Sequence, residues 1–305
     1  MIEILATGTG EVWLDRLSVG KERTGVMLSE VQRLMIIGTV AAWHGLVVNR
    51  DHPLLKAELP PDGARFQGMI RPVSAPAFVI RRPFTQILPL EQYVKDGSMT
   101  PWQVEVLRDA IAQHAKILVG GATLSGKTVL ANSLIGEMLA YHGHHLRVVL
   151  IEDTYELTMP PGAVNVEHLH TTETTDLRTL IQTAMRLSPE CLVVGEVRGP
   201  EAWDLLNAWS TGHGGSVSTI HAEHAQGALR RFAMLMRQGG VEPDHELIGS
   251  TVNLVIIMER RGARQWHVRE LVRCEGWDGQ RYVVTTPTPT GTSGTPRLRV
   301  VPGNE

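Results

Sequence analysis

ILVGGATLSGKT, residues 117–128, is the stretch of this sequence that decides the fold. The apolar run 117–119 is typical of a strand buried on both faces, and a helical pattern follows at 127–140. Between them, residues 121–128 satisfy GxxxxGK(S/T), the phosphate-binding loop that joins a strand to a helix. The sequence therefore predicts a P-loop NTPase domain of the α/β class around these residues.

The loop also predicts which residues contact a bound triphosphate. Backbone N–H groups at a helix N-terminus bind phosphate oxygens, Lys127 would bridge the β- and γ-phosphates, and Thr128 would ligate Mg²⁺. Lys127 is informative because only five of the 29 basic residues are lysines. The residues expected to hold ATP are Gly121, Ala122, Thr123, Leu124, Ser125, Gly126, Lys127, Thr128 and Val129.

Strand and helix patterns alternate beyond this loop. Such alternation predicts a parallel sheet with crossover helices, whose ligand site lies beyond the carboxyl ends of the strands. The predicted strands are 117–119, 148–151, 191–194 and 216–220, and the predicted helices between them are 127–140, 176–187 and 200–209. The runs 253–259 and 266–273 are expected to form a hairpin at the sheet edge.

Carboxylates follow two of the inner strands. The strand at 148–151 runs into Glu152, Asp153 and Glu156, which predicts three carboxylates at the rim of the site. The strand at 191–194 runs into Glu196, as a Walker-B strand does, with Gly-Glu where many P-loop enzymes have Asp. Glu196 is expected to hold Mg²⁺, through water, together with Thr128, and Glu156 to orient or deprotonate the nucleophile. Which of Glu156 and Glu196 is the general base stays open.

Two histidines flank the predicted strand 216–220. His213 precedes it and His221 follows it, and a neutral histidine there would report the γ-phosphate through a hydrogen bond. A metal site made from these two is not expected, since no third soft ligand lies nearby in the sequence.

The first hundred residues have a different pattern. Short alternating runs at 2–6, 12–17, 66–70 and 77–81 predict strands, 28–48 predicts a helix, and 53–59 predicts a helix or turn. The expected organisation is a smaller α+β domain at 1–83, a linker at 84–99, the ATPase domain at 100–285 and a disordered tail at 286–305.

Composition excludes several classes of protein. The 305 residues carry a net charge of −3, so a long nucleic-acid track is not expected. Two cysteines exclude a disulfide framework and a zinc ribbon, and favour a reducing cytosol. The longest apolar stretch, 34–48, is shorter than the roughly 20 residues that span a bilayer, so no transmembrane segment is predicted.

Four segments together resemble the hexameric secretion ATPases, and among them the TrbB-type conjugal-transfer ATPases of type IV secretion systems. GATLSGKT, IEDTYEL, the stretch LVVGEVRGPEAWDLLNAWSTGHGGSVSTIHA and the earlier GARFQGMIRPVSAPAFVIRRP are similar to the Walker A, Asp box, Walker B with His box, and N-domain segments. The likeness runs from about residue 2 to residue 284 in the family's order, and the His-box segment is very specific.

The resemblance implies both an architecture and a role. It implies a RecA-like C-terminal domain, a PAS-like N-terminal domain, and a homo-hexamer at the cytoplasmic face of the inner membrane, in contact with secretion-channel components. It implies an Mg²⁺-dependent ATPase whose hydrolysis swings the domains and powers pilus assembly or transfer of DNA or protein. Catalytic roles carry over to Lys127, Glu156, Glu196 and His221. Arg65 and Arg81 match N-domain positions that reach over the γ-phosphate, and Arg198 is expected to play a similar part at the ring interface.

The sequence departs from the family at two points. Leu124 replaces a small residue of the loop, which predicts slower or tighter nucleotide exchange. The chain begins at its first strand, where family members usually have a helical segment, so a shorter variant or a misassigned start is expected.

Other functions stay open from the residues alone. They are a type IV pilus retraction motor, a RecA-type nucleic-acid translocase, and a nucleotide-binding scaffold that does not hydrolyse. Aromatic residues make up only 5% of the chain, which disfavours the translocase because stacking on single strands requires them. Direct sequence-specific binding of nucleic acid is not expected.

Overall fold

The computed structural model describes residues 3–16, 19–61, 63–83, 86–172, 174–261 and 265–287. The described residues up to 83 form one compact unit, and those from 86 onward form a second. The ends of the strands predicted at 2–6 and 12–17, and the predicted tail from residue 288 onward, lie outside the described residues.

The first unit is an antiparallel sheet that packs against a helix. Its elements are β1 (Glu3–Ala6), β2 (Glu11–Arg16), β3 (Gly20–Met27), α1 (Glu30–Trp43), β4 (Leu54–Leu59), β5 (Ala64–Met69) and β6 (Ala77–Arg81). The strand order is β3-β2-β1-β6-β5-β4. Ile37 and Ala41 of α1 pack with Phe66 and Phe78 of the sheet, and Ser29 caps the helix. This unit is therefore α+β.

The prediction of a helix or turn at 53–59 is wrong. These residues form β4, which pairs antiparallel with β5, and Leu55 points into the core while Leu54 and Lys56 are exposed. Pro53 lies before the strand, so its lack of an N–H removes no hydrogen bond from the pairing of β4 with β5. Cross-strand pairing and burial of one face override the helix propensity of Leu, Lys, Ala and Glu in this segment.

The second unit is a mixed eight-stranded sheet between two helical layers. Its helices are α2 (Leu90–Lys95), α3 (Pro101–Ala112), α4 (Lys127–His142), α5 (Leu177–Ala184), α6 (Glu201–Ser210), α7 (Ala225–Gln238) and α8 (His245–Thr251). Its strands are β7 (Ile117–Gly121), β8 (Val148–Glu152), β9 (Val166–His170), β10 (Cys191–Val197), β11 (Val217–Ile220), β12 (Leu254–Arg261), β13 (Gln265–Trp277) and β14 (Tyr282–Thr285). The order is β14-β13-β12-β7-β11-β10-β8-β9, with β13 and β14 antiparallel to their neighbours and the other six strands parallel.

Alternate residues of the central strands enter two separate cores. Leu118 of β7 packs with α5, α6, α7 and α8, whereas Ile117 and Val119 pack with α2, α3 and α4. Because both faces are covered, the inner strands read as continuous apolar runs. The carboxyl end of β7 leads directly into the loop 121–126, between the ends of β12 and β11.

The segment predicted as a linker, 84–99, contains α2. Leu90 and Tyr93 of this helix are buried in the core of the second unit, and Tyr93 makes a hydrogen bond with Ser133 of α4. Pro89 lies at the N-cap of the helix and Gly97 follows its C-terminal end, so residues typical of a linker flank α2. In the described part of the chain, no helix combines the length and the apolar character that crossing a membrane requires.

Candidate nucleotide-binding site

The loop between β7 and α4 has the backbone conformation that a phosphate-binding loop requires. Gly126 has φ +89° at the N-cap of α4, and a Cβ at this position would lie only 2.7 Å from Cγ of Trp266. The Lys127 ammonium donates hydrogen bonds to the carbonyls of Gly121 (3.0 Å) and Ala122 (2.9 Å). The side chain of Lys127 therefore lies along the loop, with its charge at the carboxyl edge of the sheet.

Leu124 has a left-handed backbone conformation. Its φ is +63°, which is unfavourable for a residue with a Cβ, and its carbonyl accepts a hydrogen bond of 3.3 Å from Trp266 Nε1. Trp266, in β13, thus contacts the loop at both Leu124 and Gly126. The sequence analysis missed this contact, because 142 residues separate Trp266 from Leu124 and no local signal joins them.

Thr128 and Glu156 meet next to the loop. The Thr128 hydroxyl donates a hydrogen bond of 3.0 Å to Glu156 Oε2. Thr128 lies in the first turn of α4 and Glu156 in the segment after β8, so the two elements bring a hydroxyl and a carboxylate to one point. Both are hard oxygen donors of the kind that Mg²⁺ prefers.

The backbone around Glu156 is fixed by two buried side chains. Asn132 of α4 donates to the Glu156 carbonyl (3.0 Å) and accepts from the Thr158 amide (3.0 Å). Glu152 Oε2 accepts from the amides of Glu156 and Leu157, both at 2.9 Å. Sequence reasoning missed Asn132, whose signal was the polar pair Asn132 and Ser133 within an otherwise apolar stretch of α4.

The expectation of three carboxylates at the rim holds for Asp153 and Glu156 but is wrong for Glu152. Glu152 is only 2% exposed, because the segment 153–157 folds over its carboxylate. Glu152 is the last residue of β8, and its side chain is used for holding that segment. Asp153 is exposed and pairs with Arg198 at 2.8 Å.

Glu196 is placed by an irregularity in β10. The register between β10 and β11 shifts between Val194 and Val197, and Thr219 donates a hydrogen bond to the Gly195 carbonyl. Such a bulge changes the direction of a side chain at the end of a strand. Glu196 Oε2 accepts from Arg198 (2.7 Å), and Glu196 Oε1 lies 2.9 Å from His221 Nε2.

The surroundings of Glu196 and His221 favour an ionised carboxylate on Glu196 and a neutral imidazole on His221. Burial alone would raise the pKa of Glu196, but the hydrogen bond from Arg198 and the charges of Arg198, His221 and Lys127 outweigh it, so the pKa is lowered. Burial, followed by the charge of Lys127, lowers the pKa of His221 despite the nearby Glu196. Lys127, Glu196 and His221 are therefore electrostatically coupled within one site.

The two histidines around β11 lie at opposite ends of the strand. His221 follows its carboxyl end, beside Glu196. His213 precedes the strand, and its Nδ1 bonds the Pro189 carbonyl at 2.8 Å, at the edge away from the loop. The expectation of a γ-phosphate contact is therefore wrong for His213, because a strand separates it from the site, and stays a prediction for His221.

Arg65 and Arg81 belong to the first unit and are neighbours there. They are directly paired residues of β5 and β6, so both side chains leave the same face of the sheet. Arg81 Nε lies 3.9 Å from a Glu3 carboxylate oxygen. Arg198, expected at a ring interface, bridges Asp153 and Glu196 within the second unit.

Comparison with known proteins gives consistent matches along most of the chain. The model of the family described as Type II/IV secretion system protein matches residues 27–271. A probable conjugal transfer protein TrbB of Sinorhizobium fredii is 40% identical over 287 residues, covering 93% of this chain and 86% of that protein.

Solved structures are similar in fold. The X-ray structure of the Legionella pneumophila ATPase DotB aligns with a TM-score of 0.61 at 19% identity, covering 89% of this chain and 76% of that one. The pilus retraction motor PilT with bound ADP aligns with a TM-score of 0.58 at 18% identity, covering 93% and 77%. At these identities the likeness concerns the fold alone.

Proposed function

This chain belongs to the type II/IV secretion system protein family, and we propose that it is the ATP-hydrolysing motor of a conjugal-transfer type IV secretion system. The observation that carries the proposal is the hydrogen bond between Thr128 of the P-loop helix and Glu156 at the end of an inner strand. This bond puts a metal ligand and a candidate base side by side. The identity of 40% to a conjugal transfer protein supports the assignment of the motor to a conjugal-transfer system.

The residues present fit MgATP. The loop offers backbone amides at the N-terminus of α4, a glycine at φ +89° where a Cβ would contact Trp266, and a lysine for the phosphates. Thr128 and Glu196 would hold Mg²⁺, which neutralises charge on the phosphates when it is bound. Val129 follows in the first turn of α4 and completes the expected binding segment.

The acidic and basic side chains would have different roles in hydrolysis. Glu156 would orient the attacking water and accept its proton, since Asn132 and Glu152 fix the backbone on which it stands. Glu196 would hold a metal-bound water. His221, whose pKa is lowered, would stay neutral and donate or accept a hydrogen bond near the γ-phosphate. Arg65 and Arg81 would add positive charge from the N-terminal domain, where the β5–β6 pairing puts them side by side.

The proposed assembly is a ring of six identical subunits. Each would contain a PAS-like N-terminal domain at 1–83 and a RecA-like ATPase domain that reaches to residue 285 and includes α2 of the segment 84–99, followed by a tail at 286–305. The ring would lie in the cytoplasm at the inner membrane and act on secretion-channel components through interdomain motion. No direct sequence-specific contact with nucleic acid is part of this proposal.

Phosphate-release rates of the wild type, Lys127→Ala and Glu196→Gln test whether the chain hydrolyses ATP. We expect measurable release by the wild type, strong loss in both variants, and normal release in Lys95→Ala, which removes an exposed lysine of α2 in the same unit. Equally low release in all four proteins, under conditions that support oligomers, would make the chain a non-hydrolysing scaffold. Native mass measurement with and without MgATP tests the ring, and single subunits under every condition would contradict it.

A further inference from the structure

Two histidines and a buried glutamate meet at the edge of the large sheet. His168 and His170 belong to the edge strand β9, and Glu152 is the last residue of β8. The strands are parallel, with Glu152 paired to His170 and Leu150 paired to His168. Residues two apart on a strand share a face, so both imidazoles lie on the side of the sheet to which Glu152 points.

The ligand atoms of the three side chains are close together. His168 Nε2 lies 2.7 Å and His170 Nε2 3.9 Å from the same Glu152 oxygen, Oε1. One ligand atom from each residue lies within 4.8 Å of the other two. Ligand atoms bound to one tetrahedral zinc ion are about 3.3 Å apart, from bond lengths of about 2.0–2.1 Å. The observed distances of 2.7 Å and 3.9 Å lie on either side of that value. Small rotations of the side chains would therefore bring the ligand atoms to the spacing that a zinc ion requires.

The surroundings leave these ligand atoms available. Glu152 is 2% exposed, but its Oε2 accepts the amides of Glu156 and Leu157, so Oε1 alone faces the histidines. His170 Nε2 is buried and has no hydrogen-bond partner among the residues that the structure describes. The Tyr155 ring covers His170, with centroids 3.3 Å apart.

We propose that Glu152, His168 and His170 form a binding site for one divalent transition-metal ion of the zinc class. Two imidazole nitrogens and one carboxylate oxygen are a donor set that suits Zn²⁺, Co²⁺ and Ni²⁺, whereas Mg²⁺ prefers oxygen ligands throughout. Three protein ligands leave the remaining position to water. This site is separate from the expected nucleotide metal site at Thr128 and Glu196, and does not depend on the proposed function.

Metal binding would also affect the segment that carries Glu156. Glu152 uses one oxygen for the metal and the other for the amides of Glu156 and Leu157. A ligated Glu152 loses side-chain freedom, so the loop that it caps would become more ordered. The metal would replace the existing hydrogen bond between Glu152 and His168.

The test uses the full chain, treated with EDTA, freed of the chelator and kept without nucleotide. Calorimetric titration with Zn²⁺ and visible absorption with Co²⁺ should each show one equivalent bound. His168→Gln and His170→Gln should each weaken binding by more than about 100-fold, since loss of an outer-shell partner alone costs 10–100-fold. A double variant, His144→Gln with His145→Gln, removes two exposed histidines and should bind as the wild type does.

Two further measurements separate metal binding from folding. Melting temperatures in EDTA show whether each variant folds, and Zn²⁺ should raise the melting temperature of the wild type and the control but not of the two single variants. X-ray absorption of the zinc-loaded wild type should show imidazole nitrogen and oxygen ligands without sulfur. An all-oxygen shell, no stoichiometric binding by the wild type, or equal affinity in a folded His170→Gln would overturn the site.

Discussion

The Thr128 hydroxyl donates a hydrogen bond of 3.0 Å to the Glu156 carboxylate, which joins the first turn of α4 to the segment after β8. The backbone on which Glu156 stands is held by Asn132 from one side and by Glu152 from the other. A candidate base is therefore fixed against the element that carries the phosphate loop.

Glu156→Gln should separate catalysis from binding. The amide keeps the size of the side chain and can still accept the Thr128 hydrogen bond, so nucleotide affinity should change little. It cannot take a proton, so the turnover number should fall by about 10²–10⁴-fold. Phosphate release and binding of a fluorescent nucleotide measure the two effects. Asp153→Asn is the matched control on the same segment, and turnover of Glu156→Gln at the level of that control would exclude Glu156 as the base.

Asn132→Ala should lower both stability and turnover. The change leaves the Glu156 carbonyl and the Thr158 amide without their partner, at a cost of about 1–3 kcal/mol for a buried unsatisfied group. Because the segment that carries Glu156 loses a support, the turnover number should fall while nucleotide affinity is kept. Urea unfolding and phosphate release check this.

The control for Asn132 is its neighbour Ser133. The Ser133 hydroxyl donates to the Val129 carbonyl within α4 and also bonds Tyr93, without contact to the Glu156 segment in the described hydrogen bonds. Ser133→Ala should therefore reduce stability without a comparable loss of turnover. A turnover loss as large in Ser133→Ala would mean that general loosening of α4 explains both.

The sequence predicts the second unit better than the first. The continuous apolar runs and the P-loop predicted β7, β8, β10, β11 and the helices between them, because strands buried on both faces leave a strong local pattern in the sequence. Strand β3 is largely polar, and strand β4 consists of Leu, Lys, Ala and Glu, which favour helices in isolation. Pairing with the neighbouring strands β2 and β5 decides both conformations. Strand β9, with two histidines and a glutamate, was missed for the same reason.

The site was predictable to the extent that its residues form motifs. Thr128, Glu156 and Glu196 stand at strand and helix ends that the pattern locates, and the structure brings Thr128 and Glu156 into contact. The supporting residues Asn132 and Trp266 were not predicted, since each depends on packing between elements far apart in sequence. Glu152 was expected at the rim, and only the fold of the following segment shows that it is buried.

Acidification should destabilise the chain partly through His114. His114 is exposed, but partial desolvation of its ring and then the charge of His142, which stacks on it at 4.1 Å, lower the pKa of His114 below its ordinary value. The unfolded chain, with an imidazole pKa of about 6.5, then binds the proton more strongly than the folded chain. Protonation of His114 therefore leaves the free energy of unfolding unchanged above about pH 6.5. Below about pH 6.5, the free energy of unfolding falls until the pH reaches the lowered pKa of folded His114.

His114→Asn isolates this contribution. His114 has φ +53° at the end of α3, a conformation that Asn tolerates. The variant and the wild type should therefore differ in unfolding free energy by a constant amount above about pH 8, and the wild type should lose more stability by about pH 5. Urea unfolding across this range measures the difference. Parallel curves for the two proteins would show that His114 titrates alike in both states.

The backbone at Leu124 should decide the sign of a substitution in the phosphate loop. With φ +63°, a residue with a Cβ pays about 1–2 kcal/mol relative to an ordinary conformation, which exceeds the entropy that glycine loses on folding, about 0.5–1 kcal/mol. Leu124→Gly should therefore be more stable than Leu124→Ala, which keeps the Cβ and removes the rest of the side chain. Leu124→Val should be the least stable, since a branched Cβ fits this region worst. Urea unfolding ranks the three variants, and release of a fluorescent nucleotide should be faster in Leu124→Gly than in the wild type. If Leu124→Ala proved as stable as Leu124→Gly, the left-handed conformation would not be limiting, and the slow exchange expected from a leucine here would need another cause.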